Sequence, residues 1–508
     1  MQKIQDAFCK RYIDRFDLKV DKEWSIRKTR LYILEKFLDN SIYDVLSPYH
    51  FEYSGGKTNG QYVPLAQRRP SVIYSLPKII VDESVSMLFG EGHFPIVRGS
   101  EEKEEDAEIF LQYITRVSNL RSAMMEAARI GSIGSVAVYL RVLNEKFYFN
   151  VLNTQYLTPS FDQLEPDTLI GLIEKLPIDG ASLRAMGYFI EDDNLNNPYI
   201  LMREWNLNEE IFYAPYLKDA EKDVIPQRDD SRSYAHDMGF VPIVWIKNLP
   251  KDGFIDGCST FESIVDTSIE INYQLSQLGR GLKYNSDPTL VIKNPVSLQD
   301  NQLVKGVGAL TLDEKGDAYL LEMNGSSTKA VLDFVNMLRQ YALEAVRGDR
   351  SNPEKISGLH SGKALQMLNA ALIALVSELR LSYGERGLLR VYQMIVEIAN
   401  LPGISIDTGN NGAPKISELQ NLILDWPDWY AATPQDSLQK AQALQSMRAT
   451  GTISQKTAIE SIADQYNIQD IEEEMRNIDT EQKKDYDMQM KLKVKSGVDR
   501  QSGDVERN

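Results

Sequence analysis

The sequence predicts an α+β chain with a mixed first half and a helical second half, divided into more than one compact region. Between Val136 and Val151 the apolar residues alternate as strands do, whereas from Thr260 onward they recur at intervals of three and four. The chain's 508 residues, 43% hydrophobic and 25% charged, suffice to bury a sizeable core.

In chain order, residues 22 to 38 look helical through Trp24, Ile26, Tyr32, Ile33 and Phe37, and a glycine-rich polar loop follows from Ser54 to Gln61. Pro77 to Phe89 reads as an amphipathic helix stopped by Gly90. A second helical region, Glu104 to Ile130, leads to Gly131 and Gly134, and then to strands through Val136, Val138, Leu140, Phe147, Phe149 and Val151. Strand signals return from Tyr199 to Tyr213 and in Gly239 to Ile246, and turn formers from Asn248 to Gly257 mark a boundary.

The second half opens with a helix from Thr260 to Tyr284 carrying Phe261, Ile264, Val265, Ser268, Asn272, Leu275, Leu278 and Leu282 on one stripe, stopped by Pro288. A small unit of β-like runs follows (Thr289 to Ile292, Ala309 to Leu312, Ala318 to Leu321), with polar turns at Gln299 to Gln302 and Asp313 to Gly316. A helix returns from Ser326 to Arg347. At 1.5 Å per residue each of the two helices spans roughly 35 Å, enough to flank the β unit as an antiparallel stalk.

A polar loop from Asp349 to Ser361 gives way to a helix of almost 40 residues through Leu365, Leu368, Leu372, Leu375, Leu379, Leu388, Val391, Ile395 and Ile398, bent where Gly384 and Gly387 weaken it. Thr433 and Pro434 open one further helix, ending near Gly451, and Ser454 opens another towards Tyr466. Beyond Thr480 the charged residues lack an apolar face and are expected to form a disordered tail.

Composition excludes several function classes. A net charge of -17 argues against a protein that grips nucleic acid with lysine and arginine. Two distant cysteines, Cys9 and Cys258, exclude a disulfide scaffold and a cysteine-held zinc, and fit a reducing interior. No signal-peptide core and no membrane-length apolar run is present.

Catalytic motifs are also missing. Gly56-Lys57-Thr58 lacks the phosphate-loop glycine, with Phe51 in its place, and Gly362-Lys363 has Ser357 there and Ala364 after the lysine. The four histidines, His50, His93, His236 and His360, are scattered without metal spacing. Acidic pairs such as Asp82-Glu83 and Asp192-Asp193 read as solvated surface charge. The chain is therefore expected not to be an enzyme and to hold no metal or cofactor.

The order of elements, with several local phrases, resembles the portal proteins of tailed double-stranded DNA phages. The phrases are Lys78 to Asp82 with Met87 to Gly90, Gly239 to Val244 with Asn248, Phe261 to Thr267, Ser361-Gly362-Lys363-Ala364-Leu365, and Gly451 to Ser454 with Thr457-Ala458 before acidic Asp470 to Glu474. Ser357-Gly358 competes with Ser361-Gly362 for the start of the long helix.

The resemblance implies a portal fold: an α/β wing (1–256), an antiparallel helical stem (257–286 and 326–348) and a small β-containing clip (287–325). A tunnel loop (349–364), a long kinked helix with C-terminal wing (365–420), a helical crown (421–480) and a flexible charged tail (481–508) complete it. It further implies a ring, usually of twelve subunits, at one capsid vertex of the virion, assembled in the host bacterial cytoplasm. Through the ring, double-stranded DNA is packed and ejected. Implied partners are the large terminase, head-tail adaptors, major capsid and scaffolding proteins, with no membrane.

Arg350 and Lys355 are then candidates for passing phosphate contacts in the tunnel loop, with Ser351 and Asn352 for polar ones. Asn301, Gln302, Lys305, Asp313, Glu314 and Lys315 are the expected terminase and adaptor contacts. Arg280 and Lys283 on the first stem helix either face the channel or pair with acids of the next subunit. The alternatives are a phage head or baseplate protein without a DNA channel and a nucleotide-driven packaging or repair enzyme.

Overall fold

A computed structural model describes residues 2–21, 24–47, 61–99, 105–220, 225–251, 253–286, 289–295, 312–321, 326–347, 366–367, 369–409, 414–415, 422–430, 434–463, 471–484 and 488. The chain divides into two compact units, Met1–Ser351 with Leu368–Trp429, and Asn352–Met367 with Tyr430–Asn508.

In the first unit, α1 (Gln2–Phe16) is a helix the sequence reading did not predict. Its buried Tyr12 and Phe16 meet Phe37 edge-on at centroid distances of 5.1 and 5.9 Å, so aromatic packing holds it in place. Phe37 belongs to α2 (Ile26–Leu38), whose N-cap Ser25 accepts a hydrogen bond from the Lys28 N–H. Next, α3 (Leu76–Phe89) ends at Gly90, where a Cβ would stand 2.2 Å from the Ser86 carbonyl oxygen.

After β1 (Ile96–Arg98), the expected single helical region is two helices, α4 (Glu105–Val117) and α5 (Leu120–Gly131). Asn119 breaks it with φ 55°, a left-handed conformation that asparagine tolerates.

The strands β2 (Ser135–Leu143) and β3 (Lys146–Asn153) form a hairpin as predicted, its Asn144-Glu145 turn having both φ angles positive. A second sheet contains β4 (Leu157–Phe161), β5 (Leu169–Asp179), β6 (Pro198–Trp205), β7 (Glu209–Phe212), β8 (Tyr216–Leu217) and β9 (Tyr234–Ala235), with α6 (Gly180–Ala185) after β5. β10 (Ile243–Lys247) then returns to pair with β2, giving the order β10-β2-β3. Alternate residues of β2 serve two cores: Val136, Val138 and Leu140 face the main helical core, while Ala137 and Tyr139 pack with Leu172 and Trp205.

The predicted helical pair is α7 (Val265–Ser286) and α8 (Ser326–Ala345). Ala345, at the end of α8, lies beside Ser263, just before α7 begins, so the two run antiparallel. Between them in sequence, β11 (Thr289–Pro295) and β12 (Leu312–Leu321) pair antiparallel.

The expected turn at Asp313 to Gly316 is corrected: Asp313, Glu314 and Lys315 belong to β12. They fall where the register shifts, Lys293 facing Asp317 and Pro295 facing Leu312, so the irregularity is a bulge within a ladder. Asp313 to Gly316 are extended between two paired positions, Leu312 and Asp317, without a register partner of their own among the described residues.

The long helix is α9 (Ala370–Leu379), a π-helical segment (Arg380–Leu388) and α10 (Leu389–Ala399). Both glycines expected to weaken it lie in the π segment, which closes with the Leu389 N–H on the Gly384 carbonyl. Neighbouring side chains use the space: a Cβ on Gly384 would stand 2.4 Å from Trp426, and one on Gly387 2.7 Å from Ile246. β13 (Ile423–Asp425) pairs with β1, and Arg98 meets Asp425 at 2.7 Å.

The second unit contains α11 (Pro434–Ala449) and α12 (Gln455–Glu460). Ser454 caps α12 as predicted, accepting from the Thr457 N–H, whereas Thr433 and Tyr466 lie outside the described residues. Residues 471–484 are helical, which corrects the expected tail at residues 481–484. Ile471, Met475 and Ile478 recur on one partly buried stripe of this helix, and Glu481 to Lys484, of high helix propensity, continue it.

Candidate functional site

The antiparallel pair α7 and α8 and the point where it is rooted in the first unit form the candidate site. Polar side chains tie the proximal half of α7 to distant segments. At its first turn Asp266 receives the Tyr12 hydroxyl and the Arg11 guanidinium, both at 2.8 Å. Just before it, Glu262 pairs with Arg30.

One turn and a half later Asn272 accepts from the Tyr74 N–H at 2.7 Å and donates to the Tyr43 hydroxyl at 2.9 Å. Tyr273 donates to the Ala66 and Arg68 carbonyls, and Ser276 accepts from the Val72 N–H. Burial pushes Tyr43 and Tyr273 up to about 12, so both remain neutral hydrogen-bonding groups.

A second tie joins this root to the π segment. Fully buried Tyr383 donates to Asn248 Oδ1 at 3.1 Å, and Asn248 Nδ2 donates to the Cys258 carbonyl at 2.6 Å and to Thr260 Oγ1 at 3.1 Å. Burial raises the Tyr383 pKa. The hydroxyl approaches Gly131 so closely that a Cβ there would stand 2.2 Å away.

Nearby, Arg380 lies over Trp429 and Trp426, its guanidinium carbon 3.4 and 4.5 Å from the ring centroids. Burial pushes its pKa down to about 10, and it stays charged at neutral pH.

Of the residues singled out in the sequence, Arg280 is half-buried and Lys283 exposed on the distal half of α7, and neither lacks an interaction partner. Asp313, Glu314 and Lys315 lie together on β12. Arg350, Ser351, Asn352, Lys355, Asn301, Gln302 and Lys305 lie outside the described residues, as do the Lys57 and Lys363 motifs, His50 and His360. Asp82 and Asp192 pair with Arg129 and Arg184 on the surface. His93 and His236 are partly buried, which lowers both pKa values.

Sequence reasoning missed the roles of Tyr383 and Arg380. Asn248 stood out only as part of a phrase after a strand. Tyr383, flanked by Ser382 and Gly384 on a helix, offers the signal of a bulky residue beside small ones. Among the described residues no cluster of His, Cys, Asp and Glu could hold a metal, and no helix is long and apolar enough to cross a membrane.

A family profile described as phage portal protein, SPP1 Gp6-like, matches residues 20–487. No curated protein matches the chain.

Proposed function

Because the chain belongs to the SPP1 Gp6-like phage portal protein family, a structural and not an enzymatic family, we propose that it assembles into a ring, usually of twelve copies, at one capsid vertex. The ring is the channel through which double-stranded DNA enters and leaves. The observation that carries this reading is the antiparallel pair α7 and α8 bracketing the two-stranded β11–β12 unit, inside a family match that covers most of the chain.

In this reading α7 and α8 are the stem, 287–325 the clip that meets terminase and then adaptors, and 349–364 the tunnel loop. Residues 1–256 with 365–420 are the wing, and 421–480 the crown, beside capsid and scaffolding proteins. Arg350, Ser351, Asn352 and Lys355 make passing contacts with DNA, Arg280 and Lys283 serve the stem, and the clip residues Asn301, Gln302, Lys305, Asp313, Glu314 and Lys315 meet the motor.

A net charge of -17 suits such a channel. Each cationic contact with phosphate raises affinity steeply, so a cationic lumen would hold the duplex, whereas an anionic wall lets it slide.

Electron microscopy of the purified protein tests the reading: rings with a central opening wide enough for a duplex are expected. Closed assemblies without a pore would favour a channel-less head or baseplate protein. Charge reversal across Asp313, Glu314 and Lys315 together with Lys305 is expected to reduce terminase retention in a pull-down.

A further inference from the structure

Two surfaces of the first unit expose large apolar side chains. The helix α9, Ala-Ala-Leu-Ile-Ala-Leu-Val-Ser-Glu-Leu, is apolar almost all round, yet buries only Leu375, Val376 and Leu379. A helix of that character is normally covered on every side. Leu372 and Ile373 remain partly open, and Leu381 in the adjoining π segment is 61% exposed.

Beside them run two cavities of about 600 and 620 Å³ that meet at Ser382, Glu385 and Arg386, making one groove along the outer side of the helix.

The second surface is on α8. Phe334, Met337 and Tyr341 follow one another at helical spacing and are 39, 41 and 56% exposed, while Val335, Ala342 and Val346 bury the other face. Asp333 sits one turn before Met337 on this exposed side, and Arg386 is exposed in the groove. Neither holds an ion-pair partner among the described residues.

We propose that the Phe334-Met337-Tyr341 stripe of one chain docks in the Leu381–Arg386 groove of the next, with Asp333 set against Arg386. This rests on the ring reading and deepens it. A closed ring is built from head-to-tail contacts, which require two different and mutually complementary surfaces on every chain. One surface here is a convex apolar stripe with a free acid; the other is a groove of mixed lining, apolar at Leu249, Leu375 and Leu381, polar at Ser382 and Glu385, with a free base at Arg386. The occupant of the groove is therefore a second copy of this chain.

Cys258 lines the groove and is exposed, whereas Cys9 is buried, so the chain carries its own reporter. Met337→Cys in the full-length protein, treated with a short bismaleimide, is expected to give a ladder of covalent oligomers extending beyond the dimer. Cys258→Ser in the same variant should abolish the ladder. Asp333→Arg or Arg386→Asp alone should shift the ring to monomer in analytical ultracentrifugation, and the two together should restore it.

Rings in the microscope with cross-links that stop at the dimer, or that survive Cys258→Ser, would overturn the groove assignment and leave the ring standing. Wild-type protein that stays monomeric would instead overturn the ring reading, and the groove with it. If Met337→Cys impairs folding by circular dichroism, Tyr341→Cys on the same stripe gives the same readout.

Discussion

The Tyr383 hydroxyl donates to Asn248 Oδ1 at 3.1 Å, joining the middle of the π segment to the loop that leads into α7. Asn248 spends its amide protons on the Cys258 carbonyl and Thr260 Oγ1, so its side chain makes hydrogen bonds at both ends, inside the protein.

Asn248→Ala strands the Tyr383 hydroxyl, a buried donor, and frees the Cys258 carbonyl. A loss of about 1–3 kcal/mol in urea unfolding is expected, and Tyr383→Phe should lose about 1 kcal/mol because it leaves only an acceptor unpaired. Hydrogen exchange should quicken in both the 258–264 loop and the π segment. Equal stability of Asn248→Ala and wild type would show that water replaces these bonds without penalty.

Gly384→Ala and Gly131→Ala each place a methyl group where another side chain already lies, 2.4 Å from Trp426 and 2.2 Å from the Tyr383 hydroxyl. Overpacking of this kind costs about 1–3 kcal/mol. Gly92→Ala is a useful contrast: nothing lies within 4 Å, and its cost comes from φ 78° alone. Thermal melts of the three variants should rank both buried sites below Gly92→Ala.

Arg380→Lys keeps the charge but loses the flat guanidinium that lies over Trp426 and Trp429. A loss of about 1–2 kcal/mol is expected, with a change in tryptophan emission. Arg380→Met should recover part of the stability, because a desolvated cation is replaced by an apolar side chain of similar length. Lys at this position with wild-type stability would rule out the stacking.

Burial raises the Glu35 pKa, and the nearby Asp39 adds to it, although Asn153 Nδ2 donates to its carboxylate at 2.7 Å. A carboxyl whose folded pKa lies above its unfolded one is unpenalised in acid, where both states are protonated. It loses stability as pH rises from the unfolded value through the folded one. Glu35→Gln is therefore expected to stabilise the protein at neutral pH, and the gain should vanish as pH falls below the carboxylate range. A gain that is constant with pH would remove the electrostatic explanation.

Much of the fold was legible locally. The hairpin of β2 and β3, the pair α7 and α8 and the Ser454 cap each follow from periodicity or capping chemistry within a short window. α1 carried a signal that went unread, since Cys9, Tyr12 and Phe16 fall on one helical stripe and all three are buried. The break at Asn119 and the extended Asp313 to Gly316 were less accessible, because composition there favours one local state while a single left-handed residue, in the first case, and pairing of the flanking Leu312 and Asp317, in the second, give another.

Taken by itself, the amino-acid order determined the α+β class, most of the helices, the β2–β3 hairpin, and the family. Side-chain period and the run of elements are properties of neighbours in sequence. Only the tertiary structure decided that the long helix passes through a π segment, that Arg380 lies over two tryptophans, and that Tyr383 reaches Asn248. Those outcomes depend on residues brought together from 46 to 135 positions away, and on glycines whose value lies in what approaches them.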